Sequence, residues 1–192
     1  MSENKTPETE TVSSTSEESV NDFNWTAFWK KRAEETSAKA SSLANKVLES
    51  LRTVGIPEVV VSYDGGGDSG QVHDISVRDE NGSSDERQST KDTLTNTVFE
   101  DYPRTYSSFD KVEGEWITRT RPANLRDLIE ELGYLMIDVK HPGWENNDGA
   151  YGELTINAKE GTIGLDHNER YTEVETFTYT FGCEDKKLKE TN

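Results

Sequence analysis

The residues best equipped for chemistry lie in one run, His141-Pro-Gly-Trp-Glu-Asn-Asn-Asp-Gly-Ala-Tyr-Gly-Glu153. Trp144 is followed by Glu145, Asn146, Asn147 and Asp148, then by Gly149, Gly152 and Glu153. Carbonyl and carboxylate oxygens at that density on a glycine-rich turn do not build a core. They bind something or they hold a demanding turn together. Asp64-Gly-Gly-Gly-Asp68-Ser69-Gly70 has the same character, with four glycines in seven residues. Such a run permits positive φ and close backbone approach, as a tight hairpin or an ion nest requires. A third polar run, Asp166-His167-Asn168-Glu169-Arg170, forms the connection after a predicted strand.

Three chemistries compete for these runs. Oxygens of Asp64, Asp68, Asn146, Asp148, Glu153 and Asp166, meeting at one end of a sheet, would suit Ca²⁺ or Mg²⁺ rather than zinc. Neither glycine-rich loop is an EF-hand. Setting Gly149 as the sixth loop residue puts Trp144 in the first ligand position, and starting at Asp64 puts Gly66 third and Ser69 sixth. In the second reading the same side chains cap turns and strand ends through their own backbone. In the third, together with Ser69, Trp144, Glu145, Asn147, His167, Asn168 and Arg170, they form a polar recognition surface for a protein or small ligand. Catalysis would need Ser69 or Cys183 beside a histidine, or a carboxylate pair such as Glu145 and Glu153. No spacing selects any of these, so no catalytic residue is assigned. Trp144 is expected to anchor the loop against the helix before it.

Composition narrows the partners. Lys+Arg number 21 against 38 Asp+Glu, for a formal charge of −17. Binding to a phosphate backbone needs clustered Lys and Arg, so the charge argues against direct nucleic-acid binding, while a basic protein partner or a cation is permitted. A single cysteine, Cys183, excludes a disulfide framework and a thiolate zinc site. The start of the chain lacks an apolar signal-peptide core, and the longest apolar runs are far too short to span a bilayer. The expectation is a cytoplasmic protein without membrane contact.

The elements that must position the polar runs follow from periodicity. Residues 1–20, rich in Ser, Thr and Glu, read as a disordered acidic tail. Trp25, Phe28 and Trp29 share a helical face. They either cover an edge of the domain or anchor a partner. A helix is predicted over about Ser41 to Val54, with Gly55 at its left-handed end and Thr36 and Ser37 as a break point before it. Glu58–Asp64 and Gln71–Arg78 read as strands, the second with His73, Ile75 and Val77 on one side. Residues 79–95 read as a polar loop, and 96–121 receive no firm structure. Pro122 opens the strongest helix, whose Leu125, Leu128, Ile129, Leu132, Leu135, Met136 and Val139 recur on one face. Three strands follow, over 152–157, 162–166 and 172–181, and residues 182–192 form a charged tail. Short links imply antiparallel pairing. The predicted fold is α+β and two-layered: a mainly antiparallel sheet of about five strands covered by two helices, in one domain over 21–181.

Tyr63-Asp64-Gly-Gly-Gly-Asp68-Ser69-Gly70-Gln71, Gly143-Trp144-Glu145-Asn146-Asn147-Asp148-Gly149-x-x-Gly152-Glu153 and Leu165-Asp166-His167-Asn168-Glu169-Arg170 form three blocks. Together they resemble the signature blocks of a family of small bacterial proteins, carried widely by mobile elements and phages and classed as a domain of unknown function. The resemblance runs from about Leu43 to Phe181, with a longer insert at 79–121. It implies one folded unit and a shared site, and it brings no activity. The resulting expectation is a non-enzymatic, acidic interaction protein that engages a host or partner protein, including the basic surface of a nucleic-acid-binding enzyme. The alternative is a Ca²⁺- or Mg²⁺-binding module or metal-dependent hydrolase.

Overall fold

A computed structural model describes residues 24–111, 114–184 and 187–190; the predicted tail over 1–20 lies outside them. Helix α1 spans Trp25–Thr53, and Asn24 caps it by accepting the Ala27 N–H at 3.0 Å. Thr36 and Ser37 do not break it. The Thr36 hydroxyl donates to the Arg32 carbonyl at 2.9 Å, so its polar group is satisfied inside the helix. The end is a Schellman motif: Ile56 N–H reaches the Leu51 carbonyl, Gly55 N–H reaches Arg52, and Gly55 has φ 73°. Burial along α1 begins only at Ala40 and continues through Leu43, Val47, Leu48 and Leu51. The half carrying Trp25, Phe28 and Trp29 extends past the core.

Strands β1 (Glu58–Gly66) and β2 (Ser69–Arg78) form a hairpin. Gly67 and Asp68 occupy its turn with φ of 62° and 68°, the left-handed pair of a type I′ turn. A register shift after Ser62 pairs Ser62 with Asp74 but Tyr63 with Val72, leaving His73 as the extra residue of a bulge. His73 is therefore exposed, apart from Ile75 and Val77, contrary to the simple alternation expected. With β5 (Ala150–Asn157) and β6 (Thr162–Glu169) these strands form one antiparallel sheet in the order β2-β1-β5-β6. Helix α3 (Leu125–Lys140) and α1 cover one face. There Val47, Leu51, Leu128 and Leu132 share a core with Val59, Val61, Leu154 and Ile156.

Four expectations are corrected. Within 79–95, Gln88–Asn96 forms a helix, α2, which offers the core mainly Leu94, 2% exposed; one apolar residue leaves no period to read. Within 96–121, β3 (Val98–Asp110) and β4 (Glu115–Asn124) pair as a separate hairpin, bound at its base by Arg104 to Asp127 and Glu130. Pro122 belongs to β4, paired with Pro103, where a missing N–H is tolerated at a sheet edge. α3 starts instead from an Asn124–Asp127 capping box. Residues 170–180 form no strand and are exposed, although their aromatic and threonine residues alternate. Alternation prepares a surface for a sheet, but the backbone still needs a neighbouring strand to pair with. The tail contains a short hairpin of β7 (Phe181–Glu184) and β8 (Lys187–Glu190). No helix among the described residues is long and apolar enough to cross a membrane.

Candidate functional site

The three polar blocks meet, and backbone bonds hold them. Gly67 N–H donates to the Asn147 carbonyl at 2.9 Å, and Asp68 N–H to that of Glu145 at 3.1 Å. Arg170 N–H donates to the Gly149 carbonyl at 2.9 Å, and its guanidinium donates to the Gly65 carbonyl at 2.9 Å. The same guanidinium pairs with Asp64 and lies 4.6 Å from the Tyr151 ring centroid. Gly149 has φ 73°, and a Cβ there would run into the Gly65 carbonyl. Its glycine is required twice over, by backbone conformation and by closeness.

Trp144 is the packing centre of this junction, at 7% exposure. Its ring lies against Gly65 and Gly70, where a Cβ on Gly65 would fall 2.6 Å from Trp144 Cζ3. It meets Tyr63 edge to face at 5.3 Å. The anchor seats the loop on the β1–β2 hairpin as well as on the preceding helix, where Trp144 shares a buried cluster with Ile137 of α3. A link to α3 also exists through Asp138. Burial and then the Glu145 charge push the Asp138 carboxyl above its ordinary pKa, against a hydrogen bond from Trp144. Glu145 Oε2 is itself buried without a hydrogen-bond partner.

Strand alternation divides the junction into two faces. On the face turned away from α1 and α3 lie Asp64, Tyr151, Glu153, Asp166 and Asn168, which with Ser62 and His73 line a cleft of about 370 Å³. Glu153 and Asp166 stand directly opposite each other across β5 and β6. Asn168 Nδ2 donates to Asp166 Oδ1 at 3.1 Å. On the covered face, Tyr63, Gly152 and His167 are neighbours. The Tyr63 hydroxyl is 2.8 Å from His167 Nδ1 and donates to the Asp166 carbonyl at 3.2 Å. Burial, with the Asp166 charge second, raises the Tyr63 pKa to about 12, so it stays a phenol. A Cβ on Gly152 would fall 2.6 Å from the Tyr63 hydroxyl, so only glycine leaves it room.

His141, the residue capping the end of α3, stacks on His167 with ring centroids 3.6 Å apart and planes 13° apart. Glu169 Oε1 lies 3.6 Å from His141 Nδ1 and 3.9 Å from His167 Nε2. Burial, then His141, depresses the His167 pKa below 6.5, against the pull of Glu169. A cavity of about 220 Å³ opens beside them toward the 142–149 loop.

The predicted site residues thus sort by face. Ser69 pairs with Gly66 beside the hairpin turn, and Asp68 sits in the turn. Asn146, Asn147 and Asp148 line the inner cavity, whereas Glu153 and Asp166 belong to the outer cleft. The six predicted oxygen donors are spread over both faces, and Asp64 is already paired with Arg170. Among the described residues, the group of three His, Cys, Asp or Glu side chains close enough to share an ion is His141, His167 and Glu169. That grouping escaped the sequence, which ended the strand at residue 166 and read 166–170 as a connection; β6 instead runs on to Glu169, and its alternation turns His167 inward with Ile163 and Leu165. The aromatic segment lies elsewhere: Trp25, Phe28 and Trp29 meet edge to face at 6.1 and 5.2 Å. A cleft of about 740 Å³ separates Trp29 and Arg32 from Pro142 and Glu145.

An antiparallel α+β domain with a site built from loops at one sheet end defines the class. The chain belongs to a family of unknown function, DUF6878, matched over residues 40–181. That range contains all three blocks and both faces of the junction; the aromatic half of α1 precedes it. No curated protein and no solved structure matches the chain.

Proposed function

We propose that this chain is a non-enzymatic interaction protein of a phage or mobile element that engages the basic surface of a host or partner protein. The observation that carries this reading is Glu153 facing Asp166 on the sheet face that no described helix covers. Like charges directly opposed across strands destabilise a sheet. A cation-bearing partner relieves that repulsion and gains affinity from it. The neighbouring polar groups lie on a frame braced through its backbone, so little ordering remains to oppose binding. A net charge of −17 adds long-range attraction. A partner that normally binds nucleic acid would meet carboxylates in place of phosphates.

The test is co-purification of the full chain with host proteins, compared with a Glu153→Lys/Asp166→Lys variant, at low and high salt. The expected result is a basic protein retained by the parent at low salt, released at high salt and not retained by the variant. Identical retention by both chains overturns the reading. The alternative of a Ca²⁺- or Mg²⁺-dependent module draws less support, because its oxygens are divided between two faces.

A further inference from the structure

The geometry points to a transition-metal site of the Zn²⁺ class at His141, His167 and Glu169, on the covered side of the sheet end. This inference does not depend on the partner reading, which uses the opposite face. The donor atoms of the three side chains lie within 4.8 Å of one another. Bonds of about 2.0–2.2 Å to a tetrahedral ion would set donors roughly 3.3–3.6 Å apart. The separations of 3.6 and 3.9 Å from Glu169 to the two histidines are already close to that span.

A second observation identifies what is missing. The His167 side chain is only 6% exposed, and its Nε2 has no hydrogen-bond partner. A buried polar atom left unpaired is costly, and this one faces the His141 ring and Glu169. Its other nitrogen is committed. With its single proton on the Asp166 carbonyl, the Tyr63 hydroxyl accepts from His167 Nδ1, and this tautomer, with the ring proton on Nδ1, is the one the proposed site requires. That assignment leaves a lone pair on Nε2. A ligating histidine normally donates its other N–H to an oxygen that fixes ring and tautomer, and Tyr63 supplies such an oxygen. Gly152 makes that oxygen's position possible.

Two imidazoles and one carboxylate suit Zn²⁺ or a neighbouring first-row ion better than Ca²⁺ or Mg²⁺. Stacked rings aim their lone pairs side by side, so one ring must turn for both to meet an ion. His141 is the one with room to do so: its side chain is 36% exposed at the end of α3. The adjoining cavity leaves space for a fourth ligand, a water or a small exogenous group.

The experiment uses the untagged full chain, titrated with Zn²⁺ by calorimetry and with Co²⁺ by visible absorption. Expected are one ion per chain and Co²⁺ bands of a four-coordinate nitrogen–oxygen site. His141→Ala should abolish the bands, and Glu169→Gln should weaken binding at least about tenfold, while His73→Ala changes neither. Tyr63→Phe should lower affinity by about 10–100-fold, the range for residues that orient a ligand. His141 and Glu169 are partly or largely exposed, so their variants should fold; circular dichroism checks this. The proposal is overturned by an absence of saturable binding to the parent chain. It is equally overturned by unchanged binding in folded His141→Ala and Glu169→Gln chains. Neither result bears on the partner test, which is read from the Glu153 and Asp166 face.

Discussion

The two faces of the β1–β5–β6 sheet end are made by adjacent residues with opposite chemistry. Tyr63, Gly152 and His167 point toward the helices, whereas Asp64, Glu153 and Asp166 point away. The outer face keeps its carboxylates hydrated and tolerates charge repulsion. The inner face is partly desolvated, which lowers the His167 pKa and raises that of Tyr63. A spacing of one residue is enough to separate an exposed carboxylate surface from a half-buried cluster of phenol and imidazole groups. The pleat does this with no added sequence length.

The most severe way to break the contrast is to remove what both faces share. Trp144→Ala deletes a buried indole that fills the space over Gly65 and Gly70. Chemical denaturation should show a loss of about 3–5 kcal/mol. Partner retention and ion binding should fall together.

Tyr63→Phe should act on the inner face alone. Removing the hydroxyl strips a hydrogen bond from His167 Nδ1 and from the Asp166 carbonyl. A destabilisation of about 1–3 kcal/mol is expected by urea unfolding. Co-purification of the basic partner should be unchanged, which separates the faces.

Glu153→Gln should sharpen the contrast from the other side. It removes one of two opposed charges, so the folded state should gain about 0.2–1 kcal/mol by the same denaturation assay. Partner retention should weaken in the same protein. Stability and binding moving in opposite directions would mark this pair as retained for recognition.

The smallest effect should come from acid, remote from both faces. Burial would push the Asp127 carboxyl up, but hydrogen bonds from Arg121 and the Asn124 N–H, with the charges of Arg104 and Arg121, hold it below 3.8. A depressed folded-state pKa gives stability that is present above the unfolded value and lost as pH falls through the folded one. Thermal melts of the parent should therefore lose stability below about pH 4. An Asp127→Asn chain should show a shallower loss over the same range.

Much of the frame was legible because it is local. Gly55 followed by Ile56 and Pro57 marks a helix end, and the α3 face repeats with a helical period. The Gly67–Asp68 turn follows from residues that tolerate positive φ. Elsewhere the local signal was absent or misleading. Leu94 docks α2 with almost no periodicity. The stretch from Tyr171 to Tyr179 alternates well yet has no strand beside it among the described residues, and it stays exposed. The bulge at His73 moved one histidine to the outer face, an outcome set by how β1 and β2 pair.

The candidate site divides along the same line. The sequence by itself determined which residues carry donors, that glycines make the turns, and which faces of the predicted strands Leu154, Ile156, Ile163 and Leu165 occupy. Those properties depend on side-chain chemistry and on the period of two. Only the tertiary structure decided that His141 meets His167, that Trp144 lies on the glycines of a distant hairpin, and that Glu153 opposes Asp166. Each is a contact between separate segments of the chain, set by sheet order and register rather than by any local preference.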